Sequence, residues 1–151
     1  MKKITSFLIL VSFFAFSGLK AQTTTKSASD NISKLKDITI TLASNIATTA
    51  FKAEWSSNYD NWKVKVNSAA NYKSFGTLII QLESNLKTEV FLPEWAGFRQ
   101  SWVNKCNSPN FATDLGKALL SLEMNILPAQ FNAIWAGIRQ AWADKCVSFK
   151  N

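Results

Sequence analysis

The chain repeats itself with a period of about 40 residues, and this period constrains its fold more than any other feature. The stretch WAGFRQSWVNKC at residues 95–106 returns as WAGIRQAWADKC at residues 135–146. All six tryptophans fall on two positions of the repeat: Trp55, Trp95 and Trp135, followed seven residues later by Trp62, Trp102 and Trp142. A fixed period of this length is typical of packed supersecondary units. A single domain over residues 30–151 is therefore predicted to hold three units, at 30–69, 70–109 and 110–151.

Each unit is predicted to form two helices joined by a loop. Apolar residues recur at steps of three and four in both halves of a unit, which places them on one stripe of a helix. Pro93 and Pro128 do not align between units, so both must lie outside a helix interior. A loop over 127–132, equivalent to 87–92, satisfies this condition, with Pro93 in the first turn of the second helix and Asn132 as an N-cap. The fold class is all-α, about six helices in a short α-solenoid or a compact helical bundle.

The pattern of residues 1–21 is typical of a signal peptide. Lys2 and Lys3 precede an apolar run that is short for a membrane span, and Ala21 is the expected last residue removed. An uncleaved N-terminal anchor is the alternative. Residues 22–29 are polar and small, which predicts a flexible leader. We expect the protein to be exported to the periplasm or the extracellular space.

Composition excludes several classes of function. The chain has no histidine, which removes Ser–His–Asp and Cys–His nucleophilic pairs and the commonest metal ligand. Two cysteines do not make a structural zinc site, and five isolated glycines make no phosphate-binding loop or dinucleotide fingerprint. Lys and Arg are spread over the three units rather than clustered on one face. We expect no enzymatic activity, no cofactor, no metal and no nucleic-acid partner.

The six tryptophans are candidates either for the core or for a binding platform. Two tryptophans seven residues apart lie on one side of a helix, two turns apart. Exposed rings would form platforms for sugars, aromatic ligands or lipid headgroups. Because these tryptophans share the apolar stripe of the second helix, the pattern favours the core.

Acidic and basic residues occur together in two units and are absent together from the third. The pairs are Glu83 with Arg99 and Glu123 with Arg139, where the first unit has Ala43 and Tyr59. This joint occurrence predicts an ion pair between the two helices of a unit. A carboxylate acting as an acid–base catalyst is the alternative, although an active site seldom needs two copies.

One asparagine is shared by all three units, near the end of the first helix. The positions are Asn45, Asn85 and Asn125. An amide there can satisfy the unpaired carbonyls of the last helical turn or the following loop. A row of three amides that binds a ligand is the alternative.

The cysteines and the helical glycines leave further expectations. An exported chain with two cysteines, Cys106 and Cys146, favours a disulfide between them. Helices stacked in a straight array hold the two too far apart, whereas units that curl around a pseudo-threefold axis could bring them together. Both a bridge and two free thiols stay open. Gly97 and Gly137, each after an alanine, predict a close approach of another backbone.

The first unit carries polar residues where the others are apolar, as a capping repeat would. Thr39 and Asn58 are examples. The third unit has no such change, so self-association through the third repeat is predicted. The favoured function is a secreted, non-enzymatic helical-repeat protein that binds a protein or cell-surface partner. The alternatives are a membrane-active amphipathic protein or toxin acting at a membrane surface, and a carbohydrate-binding module with exposed tryptophans.

Overall fold

The computed structural model describes residues 15–149, with side chains described from residue 26. This part of the chain forms six α-helices and no strand. The helices are α1 (Ala15–Asn45), α2 (Trp55–Ser68), α3 (Tyr72–Ser84), α4 (Trp95–Asn107), α5 (Ala112–Met124) and α6 (Trp135–Val147). A short 3₁₀ turn lies in the loop of each unit, at Thr48–Ala50, Thr88–Val90 and Pro128–Gln130. Three helix–loop–helix units are therefore present, as the period predicts.

The three units close into a compact bundle with pseudo-threefold symmetry, so the bundle and not the open solenoid is the arrangement found. Helices α1, α3 and α5 contact one another in the middle. The second helix of each unit packs on the first helix of the next unit, and α6 packs on α1. The second tryptophan of each unit donates its indole N–H across this interface to a backbone carbonyl: Trp62 to Leu78 (3.0 Å), Trp102 to Ala118 (2.9 Å) and Trp142 to Ile38 (2.8 Å).

The loops follow the same cyclic order as the helices. Each loop donates one backbone N–H to the loop of the preceding unit in the ring: Lys87 to Ala50 (3.0 Å), Leu127 to Val90 (2.8 Å) and Ala47 to Gln130 (2.8 Å). The last of these bonds joins the first unit to the third. Because buried backbone groups must be paired, this ring of bonds fixes the relative positions of the three loops.

The expectation that the first unit caps an open array is wrong. Thr39 is fully buried, because the closed ring places α5 and α6 of the third unit against α1. The third unit has no open end either, since Lys145 pairs with Asp37 of α1 at 2.8 Å. The structure therefore removes the reason given for self-association through the third repeat, which itself stays a prediction.

Two residues of the loops, Pro93 and Asn132, lie at other places than those predicted. Pro93 lies two residues before α4 rather than in its first turn, and Asn132 lies three residues before α6 rather than at its N-cap. The 3₁₀ turn and a second turn lengthen the connection. The backbone N–H of Asn132 instead donates to the carbonyl of Asn45 in the first unit, at 2.8 Å. The aromatic residue before each second helix stacks on the first tryptophan of that helix, for example Phe131 on Trp135 with ring centroids 5.2 Å apart.

Residues 22–29, which the sequence predicts to be a flexible leader, lie within the helical backbone of α1. No glycine or proline lies between Leu19 and Asn45 to interrupt the helix. Most of the predicted signal peptide, residues 1–14, lies outside the described residues, and cleavage after Ala21 stays a prediction.

The close backbone approach occurs at other glycines than those predicted. A Cβ on Gly97 or Gly137 would meet nothing within 4 Å. A Cβ on Gly76 would overlap the carbonyl oxygen of Cys106, and one on Gly116 would overlap that of Cys146. The glycines that let the two helices of a unit touch therefore lie on the first helix, in the second and third units.

Candidate functional site

All six tryptophans lie in the core. Their exposed fractions are 3–6%. Within each second helix the two indoles contact each other with ring centroids 5.2–5.3 Å apart. The platform of exposed tryptophans is therefore wrong, and the interpretation of the stripe as core is confirmed.

A buried glutamate joins the two helices of the second unit. The Glu83 side chain is 3% exposed, and Arg99 binds it through two hydrogen bonds, Nε to Oε1 at 2.5 Å and Nη2 to Oε2 at 2.6 Å. Trp95 donates its indole N–H to the same Oε1 at 3.1 Å. The hydrogen bond to Glu83 raises the pKa of Arg99. Both carboxylate oxygens are thereby engaged by neighbouring donors.

The third unit repeats this arrangement almost unchanged. Arg139 binds Glu123 through Nε at 2.6 Å and Nη2 at 2.9 Å, and Trp135 donates to Oε1 at 3.2 Å. The predicted Arg–Glu ion pairs are thus confirmed in both units. The tryptophan bond was missed, although in both units the tryptophan follows its glutamate at the same interval in the sequence.

The first unit replaces the ion pair by an aromatic contact. Tyr59 lies where the others have arginine, and its ring packs on Trp55 and Trp62 at centroid distances of 5.7 and 6.0 Å. Its hydroxyl is 3.0 Å from the hydroxyl of Ser44. The same position in the fold therefore holds either an ion pair or an aromatic contact.

The shared asparagines cap the first helices. Each donates its side-chain N–H to the carbonyl four residues earlier: Asn45 to Thr41 (2.8 Å), Asn85 to Gln81 (2.7 Å) and Asn125 to Ser121 (2.7 Å). These carbonyls belong to the last helical turn, where backbone acceptors run out of partners within the helix. The capping interpretation of the three asparagines is confirmed.

Cys106 and Cys146 are separate thiols and form no disulfide. Each lies against the first helix of its own unit, next to Gly76 or Gly116, so the two face different interfaces. Both are fully buried, and burial, together with Glu83 for Cys106 and Glu123 for Cys146, raises their pKa to about 12.

An apolar groove of about 560 Å³ opens on the third unit, above the Glu123–Arg139 pair. The groove is lined by Leu92 from the preceding loop and by residues of α5, the third loop and the start of α6. Met124 on its wall is 63% exposed. The name apolar groove is used below for this cavity, whose apolar walls are formed by Leu92, Met124, Pro128 and Phe131. Its volume is in the range of sites for small ligands and short peptide segments.

The equivalent places in the ring are polar and closed by hydrogen bonds. Lys52, equivalent to Leu92, donates to the carbonyl of Ser84 at 2.5 Å. Asn132, at the same position in the third unit, donates its side-chain N–H to the carbonyl of Ser44 at 3.1 Å. Ser44 and Ser84 are the equivalents of Met124. Only between the second and third units do two apolar side chains stand at these positions.

Two regions of the chain, residues 29–96 and 77–136, match the model of a protein family described as a domain of unknown function (DUF8799). Together they span residues 29–136, more than half of the chain, and their ends at 96 and 136 are one repeat length apart. The chain belongs to this family. No curated protein and no solved structure matches it.

The described residues of this DUF8799 chain were compared with the requirements for a membrane span and for a metal site. None of its described helices is long and apolar enough to cross a membrane. The described side chains contain no group of three or more His, Cys, Asp or Glu residues that could hold a metal ion.

Replacing Arg99 by alanine is expected to lower the free energy of unfolding by about 2 kcal/mol, because the buried Glu83 carboxylate loses its charged partner. The double variant Arg99→Tyr with Glu83→Ala reproduces the first unit, and we expect it to stay within about 1 kcal/mol of wild type. Urea unfolding followed by tryptophan fluorescence measures both. Equal losses in the two variants would contradict this account of the pair.

The buried thiols are expected to make stability fall at alkaline pH. In the unfolded chain a thiol ionises near its ordinary pKa of 9.0, while in the folded chain it ionises near 12. The unfolded state therefore releases protons first, and the free energy of unfolding falls as pH rises from about 9 towards 12, by about 3 kcal/mol for both thiols together at pH 10.

The control for the thiol prediction is the double variant Cys106→Val with Cys146→Val, since Val66 occupies this position in the first unit. Its unfolding free energy, measured in urea at pH 8 and pH 10, should fall less than that of wild type. The same pH slope in both proteins would contradict the prediction.

Proposed function

We propose that this protein is an exported, non-enzymatic interaction protein that binds a protein partner through the apolar groove. The observation that supports this most is that Leu92 and Met124 form an apolar pair, whereas the two equivalent places in the ring hold polar pairs. Met124 is 63% exposed beside the half-buried Leu92, whereas each of the two equivalent places forms a hydrogen bond between units. Such exposure is typical of surfaces that bind another molecule.

A short apolar segment of a protein is the proposed occupant. The walls of the groove offer aliphatic, thioether and aromatic contacts, and the charge at its floor is already neutralised by the bond between Glu123 and Arg139. A flexible methionine adapts well to varied apolar side chains. An apolar peptide therefore fits this chemistry better than a charged one.

The state of the carboxylates supports a non-enzymatic function. Both oxygens of Glu83 and of Glu123 accept hydrogen bonds from arginine, and one oxygen of each also accepts from tryptophan. An acid–base catalyst needs an oxygen that can reach a substrate proton. Burial of all six tryptophans also argues against the membrane-active alternative, since the apolar stripes are used inside the bundle.

The double variant Leu92→Lys with Met124→Ser tests the proposal, because it copies the Lys52–Ser84 pair of the ring. We expect it to fold, and to lose binding of apolar peptides that are selected from a displayed library on the wild-type protein. The control is Val64→Asn, which removes another exposed apolar side chain and copies Asn104. Titration calorimetry should show a loss of at least about tenfold in affinity for the double variant only.

Two outcomes would contradict the proposed partner. Peptides that bind the double variant as tightly as wild type would exclude the apolar groove as their site. If wild type sediments as a dimer in analytical ultracentrifugation and the double variant sediments as a monomer, the occupant of the groove is a second copy of the chain.

A further inference from the structure

A second groove, of about 420 Å³, lies between α4 and α5 and differs from the apolar groove in character. Its walls carry two lysines, Lys105 and Lys117, several serine hydroxyls and the ring of Phe98. Phe98 is 37% exposed and packs edge-on against Trp95 at 5.2 Å. The groove therefore combines positive charge, hydroxyl groups and one partly exposed aromatic ring, that of Phe98.

Comparison with the equivalent helix contact in the ring shows that this groove has a lysine where the other contact has a carboxylate. At the equivalent contact between α6 and α1, Lys145 pairs with Asp37, Nζ to Oδ2 at 2.8 Å. Lys105 is the equivalent of Lys145, and Lys117 is the equivalent of Asp37. A carboxylate at one contact is thus replaced by an ammonium group at the other.

Neither Lys105 nor Lys117 has an ion-pair partner among the side chains described over residues 26–149. Asp114 also lines the groove, but its Oδ2 accepts hydrogen bonds from the backbone N–H groups of Asn110 (2.9 Å) and Phe111 (3.0 Å). These bonds hold Oδ2 at the start of α5, and the carboxylate keeps its negative charge in the groove. Two positive charges and one negative charge thus line the groove, which leaves it with a net positive charge that favours an anionic ligand.

We propose that the groove between α4 and α5 binds a small ligand carrying a carboxylate or phosphate group, whose oxyanion takes the place that Asp37 occupies at the α6–α1 contact. The hydroxyls of Ser101, Ser108 and Ser121 suit a hydroxylated body, and Phe98 suits the apolar face of a sugar ring. Acidic sugars and sugar phosphates have this chemistry, and the groove is large enough for a small molecule. This site is independent of the apolar groove.

The test is a titration of the full-length protein with glucuronate, glucose 6-phosphate and neutral glucose at low salt, followed by NMR. We expect one or both anions to shift backbone resonances within residues 98–121 at concentrations up to about 10 mM, with glucose much weaker. The glucuronate and glucose 6-phosphate arms separate carboxylate from phosphate recognition.

The decisive variant is Lys117→Asp, which restores the carboxylate of the α6–α1 contact and supplies Lys105 with an internal partner. It should lower the affinity for the anion at least about tenfold, while Lys63→Asp, the same charge change on the exposed face of α2, changes it less than about twofold. Lys117→Thr copies Thr77 of the second unit and replaces Lys117→Asp should that variant fail to fold. No shift with either anion, or equal binding by Lys117→Asp and wild type, overturns the proposal.

Discussion

Replacing Gly76 by alanine is expected to lower the free energy of unfolding by more than about 3 kcal/mol. The added Cβ would overlap the carbonyl oxygen of Cys106, which belongs to the backbone of α4 and cannot turn away. Helices α3 and α4 must therefore separate, and the core contacts of Phe75 and Ile79, both fully buried, weaken with them. Urea unfolding followed by circular dichroism measures the loss.

Gly97→Ala is the matched control for this substitution. Gly97 lies in α4, where a Cβ would meet nothing within 4 Å. Alanine restricts the unfolded chain and favours helix, so the variant is expected to gain up to about 1 kcal/mol. A Gly76→Ala protein as stable as wild type, or equal losses at the two glycines, would contradict the packing described for α3 and α4.

Replacing Trp142 by alanine is expected to cost about 3–5 kcal/mol, since a buried indole is lost and a cavity is left. The same side chain donates its N–H to the carbonyl of Ile38 and so holds the third unit to the first. Trp142→Phe keeps most of the apolar contact and removes only the donor, for an expected loss of about 1–2 kcal/mol. Chemical denaturation of both variants gives the two values.

Val64→Ala provides the surface control for the tryptophan series. Val64 is 65% exposed on α2, and its truncation should change the free energy of unfolding by less than about 0.5 kcal/mol. A loss at Trp142 as small as the loss at Val64 would show that this indole is not part of the core.

The helices, the core and the ion pairs could be predicted from the sequence because the repeat supplies internal comparisons. Joint replacement of Glu83 and Arg99 by Ala43 and Tyr59 in another unit signals a contact that no single unit reveals. The stripe of tryptophans likewise predicts burial, because apolar positions at helical spacing face one side.

Closure of the ring could not be predicted, because the period says which units are neighbours along the chain and not at what angle they pack. That angle depends on contacts between units, such as the hydrogen bond from the Trp142 indole to the carbonyl of Ile38. Within a unit, the distance between the two helices depends on close contacts such as Gly76 against Cys106. A glycine in the sequence shows only its cost to a helix, so Gly97 and Gly76 carried the same signal, and the prediction at Gly97 was wrong.

The two grooves were missed for a related reason. Alignment of the units pairs Leu92 with Lys52, but only the closed ring shows that Leu92 lies beside Met124 in one groove. The closed ring likewise places Lys105 and Lys117 in one groove, at positions equivalent to those of the paired Lys145 and Asp37. Such sites arise between units, where a repeat alignment makes no statement about contacts.

Whether the third unit packs on the first is the claim on which this account depends. The most direct measurement is the set of nuclear Overhauser contacts of the Trp142 indole N–H in the folded protein. The account predicts cross-peaks from this proton to Ile38 and Leu42 of α1, because the indole donates to the Ile38 carbonyl at 2.8 Å. Cross-peaks from this proton only to residues of the third unit would contradict the closed ring.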